Sequence, residues 1–187
     1  ELSQIRDTLM EMAGLVEVQV NNACTSLVNH DMELAEEVRD VESRLNQFEV
    51  DLDDRCVSII AKRQPTAGDL RAIVSVMKVI TDLERIGDEA DRIAKMALDL
   101  ADSEKPEHQY AEFRAIHVNV MKMLKRTLDA FARLDVESAL RVFEDDENID
   151  RAYNKIVRQS IETMQSNPQE VERSVSLMWA ARALERI

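Results

Sequence analysis

Carboxylates at four-residue spacing carry the main chemical signal in this sequence. Glu84 and Asp88 are four apart, with Asp91 three further on, and so are Asp146 and Asp150. Glu42 and Asn46 have the same spacing, and Glu185 closes the set near the end of the chain. Residues four apart share a helix face, with Cβ atoms about 5–6 Å apart. Two carboxylates held there repel by a few tenths of a kcal/mol, so an isolated helix gains nothing from them. A hard cation reverses the sign: oxygen ligands from two neighbouring helices could gather Mg, Mn, Ca or iron. The competing reading is a solvated acidic face, since a chain with 37 Asp and Glu makes many such pairs by chance.

A second stretch is basic. Lys62, Arg63 and Arg71 flank Gln-Pro-Thr at 64–66 and bring positive charge to one end of an acidic molecule. They could dock a partner or an anion, or simply favour a helix C-terminus. His30, His108 and His117 form no Glu-x-x-His motif, which argues against a di-metal oxidase of the ferritin type. No glycine-rich phosphate loop and no nucleophile triad is evident. These absences point away from an enzyme.

The elements that must position these groups are helices. The sequence has 187 residues with three Gly and three Pro, where about 13 and about 9 are usual for this length. Sandwiches, barrels and doubly wound sheets need more turn residues than that. Pro65, Pro106 and Pro168 separate long periodic segments, and Asp31 and Asp135 stand where N-caps belong. Six helices follow, over 2–29, 32–62, 67–103, 108–133, 136–165 and 168 onward. Thr66 with Asp69 reads as a capping box. Val38, Val41, Leu45, Phe48, Leu52 and Ile59 make one apolar stripe; Ile73, Val76, Ile80, Leu83, Ala90, Ala94 and Ala97 make another. The nine methionines read as core filling.

The chain also repeats itself. Val74, Ser75, Met77 and Leu-Glu-Arg-Ile at 83–86 recur as Val175, Ser176, Met178 and Leu-Glu-Arg-Ile at 184–187. Asp31, Glu33, Ala35 and Val38 recur as Asp135, Glu137, Ala139 and Val142. On this register Glu42 and Asn46 correspond to Asp146 and Asp150, and Glu84 corresponds to Glu185. By contrast, the Glu49–Asp53 pair falls on Tyr153 and Val157 and does not recur. The expected architecture is all-α, two tandem three-helix bundles of long antiparallel helices, with domains at 1–104 and 105–187.

Charge narrows the partners. A net charge of −13 argues against nucleic acid and against direct adhesion to an anionic membrane. Apolar runs fall well short of a transmembrane span. Cys24 and Cys56 lie within helical patterns, which suggests reduced, structural cysteines in a cytosolic protein. The chain starts at Glu1 and stops at Ile187 within a helical pattern, and reads as a piece of a longer protein.

AKRQPTAGDLR (61–71), DLERIGDEADRI (82–93), DAFARLD (129–135) and the second Leu-Glu-Arg-Ile resemble the PhoU family of phosphate-specific transport accessory proteins. The resemblance extends over essentially the whole chain. It implies a cytoplasmic, usually dimeric regulator, reaching the inner membrane only through its partners. Such a protein restrains phosphate uptake and keeps the phosphate-responsive sensor histidine kinase quiet when phosphate is plentiful. The implied partners are that kinase and the ATPase subunit of the phosphate ABC transporter. The family's acid-x-x-x-Asp metal pattern, carried over, falls on Glu42, Asn46, Glu84 and Asp88, then on Asp146, Asp150 and Glu185. Mg, Mn, Fe or Zn are the implied ions. Asn46 stands where an acid is typical, so the first site has one charge fewer. The chain ends two residues before the aspartate that would follow Glu185. The alternatives are a structural helical adaptor without metal and a carboxylate-bridged metal enzyme.

Overall fold

A computed structural model describes residues 1–101 and 110–187. Among the described residues there are six α-helices and no strand: α1 (Leu2–Asn29), α2 (Met32–Arg63), α3 (Ala67–Asp99), α4 (Ala111–Arg133), α5 (Val136–Ser166) and α6 (Val171–Arg186). The all-α expectation holds. Pro106 and His108 lie outside the described residues.

The turns explain how so few glycines suffice. The Asp31 carboxylate accepts from the Leu34 N–H at 3.0 Å, and Asp135 does the same for Ser138 at 3.0 Å. The backbone N–H of each aspartate also closes the preceding helix, Asp31 onto the Ser26 carbonyl and Asp135 onto that of Ala130, both at 2.9 Å. The residue before each adopts the left-handed conformation that glycine usually supplies: His30 has φ 54° and Leu134 φ 55°. Gln64 ends α2 in the same way, with φ 46°. Each costs about 1 kcal/mol relative to glycine, which the cap hydrogen bonds at His30 and Leu134 offset.

Several boundaries differ from the sequence expectation. Helix α3 stops at Asp99 and α4 starts at Ala111. Pro168–Glu170 is a 3₁₀ turn, capped by the Asn167 side chain accepting from Gln169 N–H, and α6 begins only at Val171. Thr66 is no capping box. Its hydroxyl donates to the Asp69 carboxylate at 3.1 Å and caps no backbone N–H.

Helices α1, α2 and α3 pack on one another, as do α4, α5 and α6. Fully buried Leu45 and Leu52 of α2, Ile80 and Leu83 of α3, and Leu9, Met12 and Leu27 of α1 form one centre; Phe113 and Ile116 anchor α4. Val41, Phe48, Ile59 and Val76 are only partly buried at its edge. Cys24 and Cys56 are both buried and free of any disulfide, and burial pushes both thiols up.

The halves join through α1 against α4 and α3 against α6. The Arg6 guanidinium donates to the Ala132 carbonyl, while His30 meets Tyr110 edge-on at 5.9 Å between ring centroids. The start of α1 thus lies at the end of α4 and the reverse, an antiparallel pair. Across α3 and α6, the repeat counterparts Ile86 and Ile187 line one cavity. The halves are unequal in cover. Ala35 and Val38 are buried, whereas their counterparts Ala139 and Val142 are exposed and half-buried. Helix α3 continues past Gly87 over the start of α2, as the Arg39–Asp91 pair at 3.2 Å shows.

Candidate functional site

The sequence-predicted carboxylates of α2 and α3 meet across their shared seam. Glu42 Oε2 accepts from Gln19 Nε2 of α1 at 3.1 Å, and the same nitrogen points to the Val38 carbonyl at 3.4 Å. Below them is Gly87, one residue before Asp88. A Cβ at 87 would come within 2.6 Å of Leu45 Cδ1, 3.1 Å of Gln19 Oε1 and 3.3 Å of Glu42 Oε2. The bare backbone of α3 therefore gives the Glu42 carboxylate room to lie over the turn that carries Glu84 and Asp88.

The electrostatics record this proximity. Burial pushes the Glu42 pKa above the ordinary carboxylate value, and Asp88 and Asp91 push it further; donation from Gln19 opposes them. Burial also raises Glu84, with Asp88, Glu49 and Glu42 adding to the effect. Glu42, Glu84 and Asp88 thus act on one site along the seam, Asp88 on both glutamates, while Asn46 is an exposed neutral residue one turn along α2 from Glu42. Asp91 is instead engaged by Arg39.

Among the described residues, no three His, Cys, Asp or Glu side chains converge tightly enough to hold a metal ion as they are placed. Two buried oxygens nonetheless lack a hydrogen-bond partner at this cluster, Glu42 Oε1 and Gln19 Oε1. An unmade hydrogen bond to a buried acceptor costs about 1–3 kcal/mol. A hard cation or its bound water would meet that need, so the all-oxygen donor set and the clearance over Gly87 fit such an ion.

The second half is different. Asp146 and Glu185 line a cavity of about 270 Å³ together with Met123, Val120 and Ile187, but Asp150 is exposed and outside its lining. Glu185 Oε2 lies 2.7 Å from an Arg182 guanidinium nitrogen, yet it too is a buried oxygen without a hydrogen-bond partner. At the basic hairpin, Lys62 and Arg63 line a groove of about 640 Å³ against α1, with Asp7, Thr8 and Arg55. Arg63 is held by Glu1 through two hydrogen bonds, at 2.7 and 3.2 Å. Arg71 is exposed on α3 and is not among the groove's lining residues.

The PhoU domain family matches residues 9–97 and 113–187, once on each half. The chain belongs to the PhoU family. It is 46% identical over 187 residues to the phosphate-specific transport system accessory protein PhoU homolog of Pseudomonas putida, covering 100% of this chain and 73% of that protein. It is 39% identical over 187 residues to phosphate-specific transport system accessory protein PhoU of Escherichia coli strain K12, covering 100% and 77%. The crystal structure of PhoU from Pseudomonas aeruginosa superposes with a TM-score of 0.95 at 43% identity, over 99% of this chain and 88% of the other. The phosphate transport system regulatory protein PhoU from Streptococcus pneumoniae gives 0.90 at 26% identity, over 100% and 87%.

The two PhoU matches contain every carboxylate singled out from the sequence, together with Lys62, Arg63 and Arg71. They also contain two residues the spacing argument missed, Gln19 and Gly87. Gln19 leaves a signal in the sequence: it is a polar residue on the apolar face made by Val16, Val20 and Ala23, all buried. Gly87 leaves a weaker one, as a glycine inside a helical pattern.

Proposed function

We propose that this PhoU chain is a non-enzymatic adaptor that restrains phosphate uptake and the phosphate-starvation two-component response, linking the ATPase subunit of the phosphate ABC transporter to the sensor histidine kinase. The observation that carries this reading is the PhoU match on both halves, with relatives at 39–46% identity named as accessory proteins of phosphate-specific transport. On this reading each repeat, 1–104 and 105–187, works as one unit, and the protein is a cytoplasmic homodimer that meets the inner membrane through its partners. Among the described residues no helix is long and apolar enough to cross a membrane.

The adaptor binds a cation (Mg, Mn, Fe or Zn) on its carboxylate faces. The Glu42, Glu84 and Asp88 cluster supports this for the first half, and Asp146 with Glu185 supports a weaker site in the second. A bound cation would offset the burial and the neighbouring carboxylates that together keep Glu42 and Glu84 above their ordinary pKa. A second reading, an adaptor without metal, is favoured by the lack of any three converging donors among the described residues.

Two measurements decide. Pull-down from membranes with the tagged chain should recover the transporter ATPase and the kinase; recovery of neither, with phosphate control intact in a deletion strain, sinks the adaptor. A thermal shift on adding Mn²⁺ should disappear in the double variant Glu84→Ala, Asp88→Ala. An undiminished shift removes the first-half site, and no shift in the unaltered chain favours the metal-free reading.

A further inference from the structure

We propose that the buried amide oxygen of Gln19 is a further ligand of the first-half carboxylate cluster for a hard divalent cation, while its amide nitrogen orients Glu42 in the metal-free chain. The inference rests on reading that cluster as a cation site and adds a residue from a third helix to it.

Gln19 is 1% exposed, in the midst of the α1 face that Val16, Val20 and Ala23 bury in the core. A primary amide there needs partners for both its ends. Its nitrogen has two acceptors facing it, Glu42 Oε2 and the Val38 carbonyl. Turning the amide over would set its oxygen against both acceptors, so the two of them fix its orientation. The oxygen then has no donor, and it faces the clearance over Gly87 beside Glu42 Oε2. Gln19 thus does two things from one side chain. It pins the carboxylate of Glu42 over α3, and it leaves a buried neutral oxygen at the edge of the cluster. Carboxylates supplemented by neutral amide oxygen are the ligand chemistry of hard divalent cations.

The second half departs at this position. The register that carries Asp31 to Asp135 and Glu42 to Asp146 carries Gln19 to Met123. Met123 lines the cavity shared by Asp146 and Glu185. A thioether there is soft and apolar, so it neither orients the carboxylate of Asp146 nor suits a hard ion.

The test uses the chain with Mn²⁺ as the probe, counting free Mn²⁺ by its electron paramagnetic resonance signal and following metal-free melting alongside. Gln19→Met, which copies the second half, should weaken Mn²⁺ binding at this cluster at least tenfold while barely moving the metal-free melting temperature. Gln19→Glu keeps an oxygen but loses the donor to Glu42. It should melt lower without metal, keep tight Mn²⁺ binding, and gain more than the unaltered chain when Mn²⁺ is added. If Gln19→Met fails to fold, Gln19→Glu decides alone: loss of its tight Mn²⁺ binding overturns the role of Gln19. Unchanged Mn²⁺ affinity in Gln19→Met, or the same loss in Gln19→Glu as in Gln19→Met, overturns the role of Gln19. An unaltered chain that binds no Mn²⁺ overturns the cation reading itself, and this inference with it.

Discussion

Arg186 Nη1 lies 2.8 Å from Glu89 Oε1, tying the last turn of α6 to the middle of α3. Arg92 reaches the same oxygen from one turn along α3, at 2.9 Å. The Glu89 side chain is only 8% exposed, so its charge depends on these two guanidiniums. The counterpart of Arg186 in the first repeat, Arg85, is exposed and lies 3.9 Å from Asp82, which makes the joint between halves one-sided.

Removing Arg186 should therefore weaken that joint without uncovering Glu89 fully, because Arg92 remains. Arg186→Ala is expected to cost about 1 kcal/mol, and Arg186→Ala with Arg92→Ala about 3 kcal/mol, since the buried carboxylate is then unpaired. Urea denaturation measures both. Equal costs for the single and double variants would show that Arg92 does not share the load.

Gly87 lies where a methyl group has no room. Replacing a mid-helix glycine by alanine ordinarily gains up to about 1 kcal/mol, whereas overpacking costs about 1–3 kcal/mol. The 2.6 Å approach to Leu45 Cδ1, a fully buried side chain, decides for overpacking. Gly87→Ala should lose about 1 kcal/mol net and displace Glu42, abolishing any Mn²⁺-induced thermal shift from the first half. A stabilised variant with the shift retained contradicts the geometry.

Glu42 has a raised pKa in the folded chain, so its contribution to stability is present while it is protonated and is lost as pH rises through that raised value. At neutral pH without divalent ions it is a source of repulsion. Glu42→Gln should then raise the metal-free melting temperature by about 1–2 °C, the size expected for relieving a like-charge pair. With Mn²⁺ added the order should invert, because only the unaltered chain gains.

His117 of α4 behaves oppositely. Burial lowers its pKa, and its Nε2 is buried without a hydrogen-bond partner. The native state holds it neutral, so the stability it contributes is present above about 6.5, the unfolded value, and is lost as pH falls through the lowered folded one. His117→Gln should flatten the decline of stability between pH 7 and 5. Parallel profiles for the two proteins would assign that decline to other groups.

The sequence by itself determined what is local. Asp31 and Asp135 announce their turns because an N-cap is a contact between residues three apart. The pairing of Glu84 with Asp88 follows from the helical period, and the repeat register followed from side-chain identity alone. The helix ends that were misplaced, at Asp99 and Val171, have no such local partner or are taken by a 3₁₀ turn. Contacts between helices depend on the rotation and axial shift of one helix against another, which no period encodes. Only the packed structure placed Gln19 beside Glu42, cleared Gly87 beneath them and engaged Arg63 with Glu1. It also left Asp150 outside the cavity that Asp146 and Glu185 share. Packing decides which partners these side chains meet: a third helix brings the Gln19 amide to Glu42 and sets Met123 beside Asp146 and Glu185.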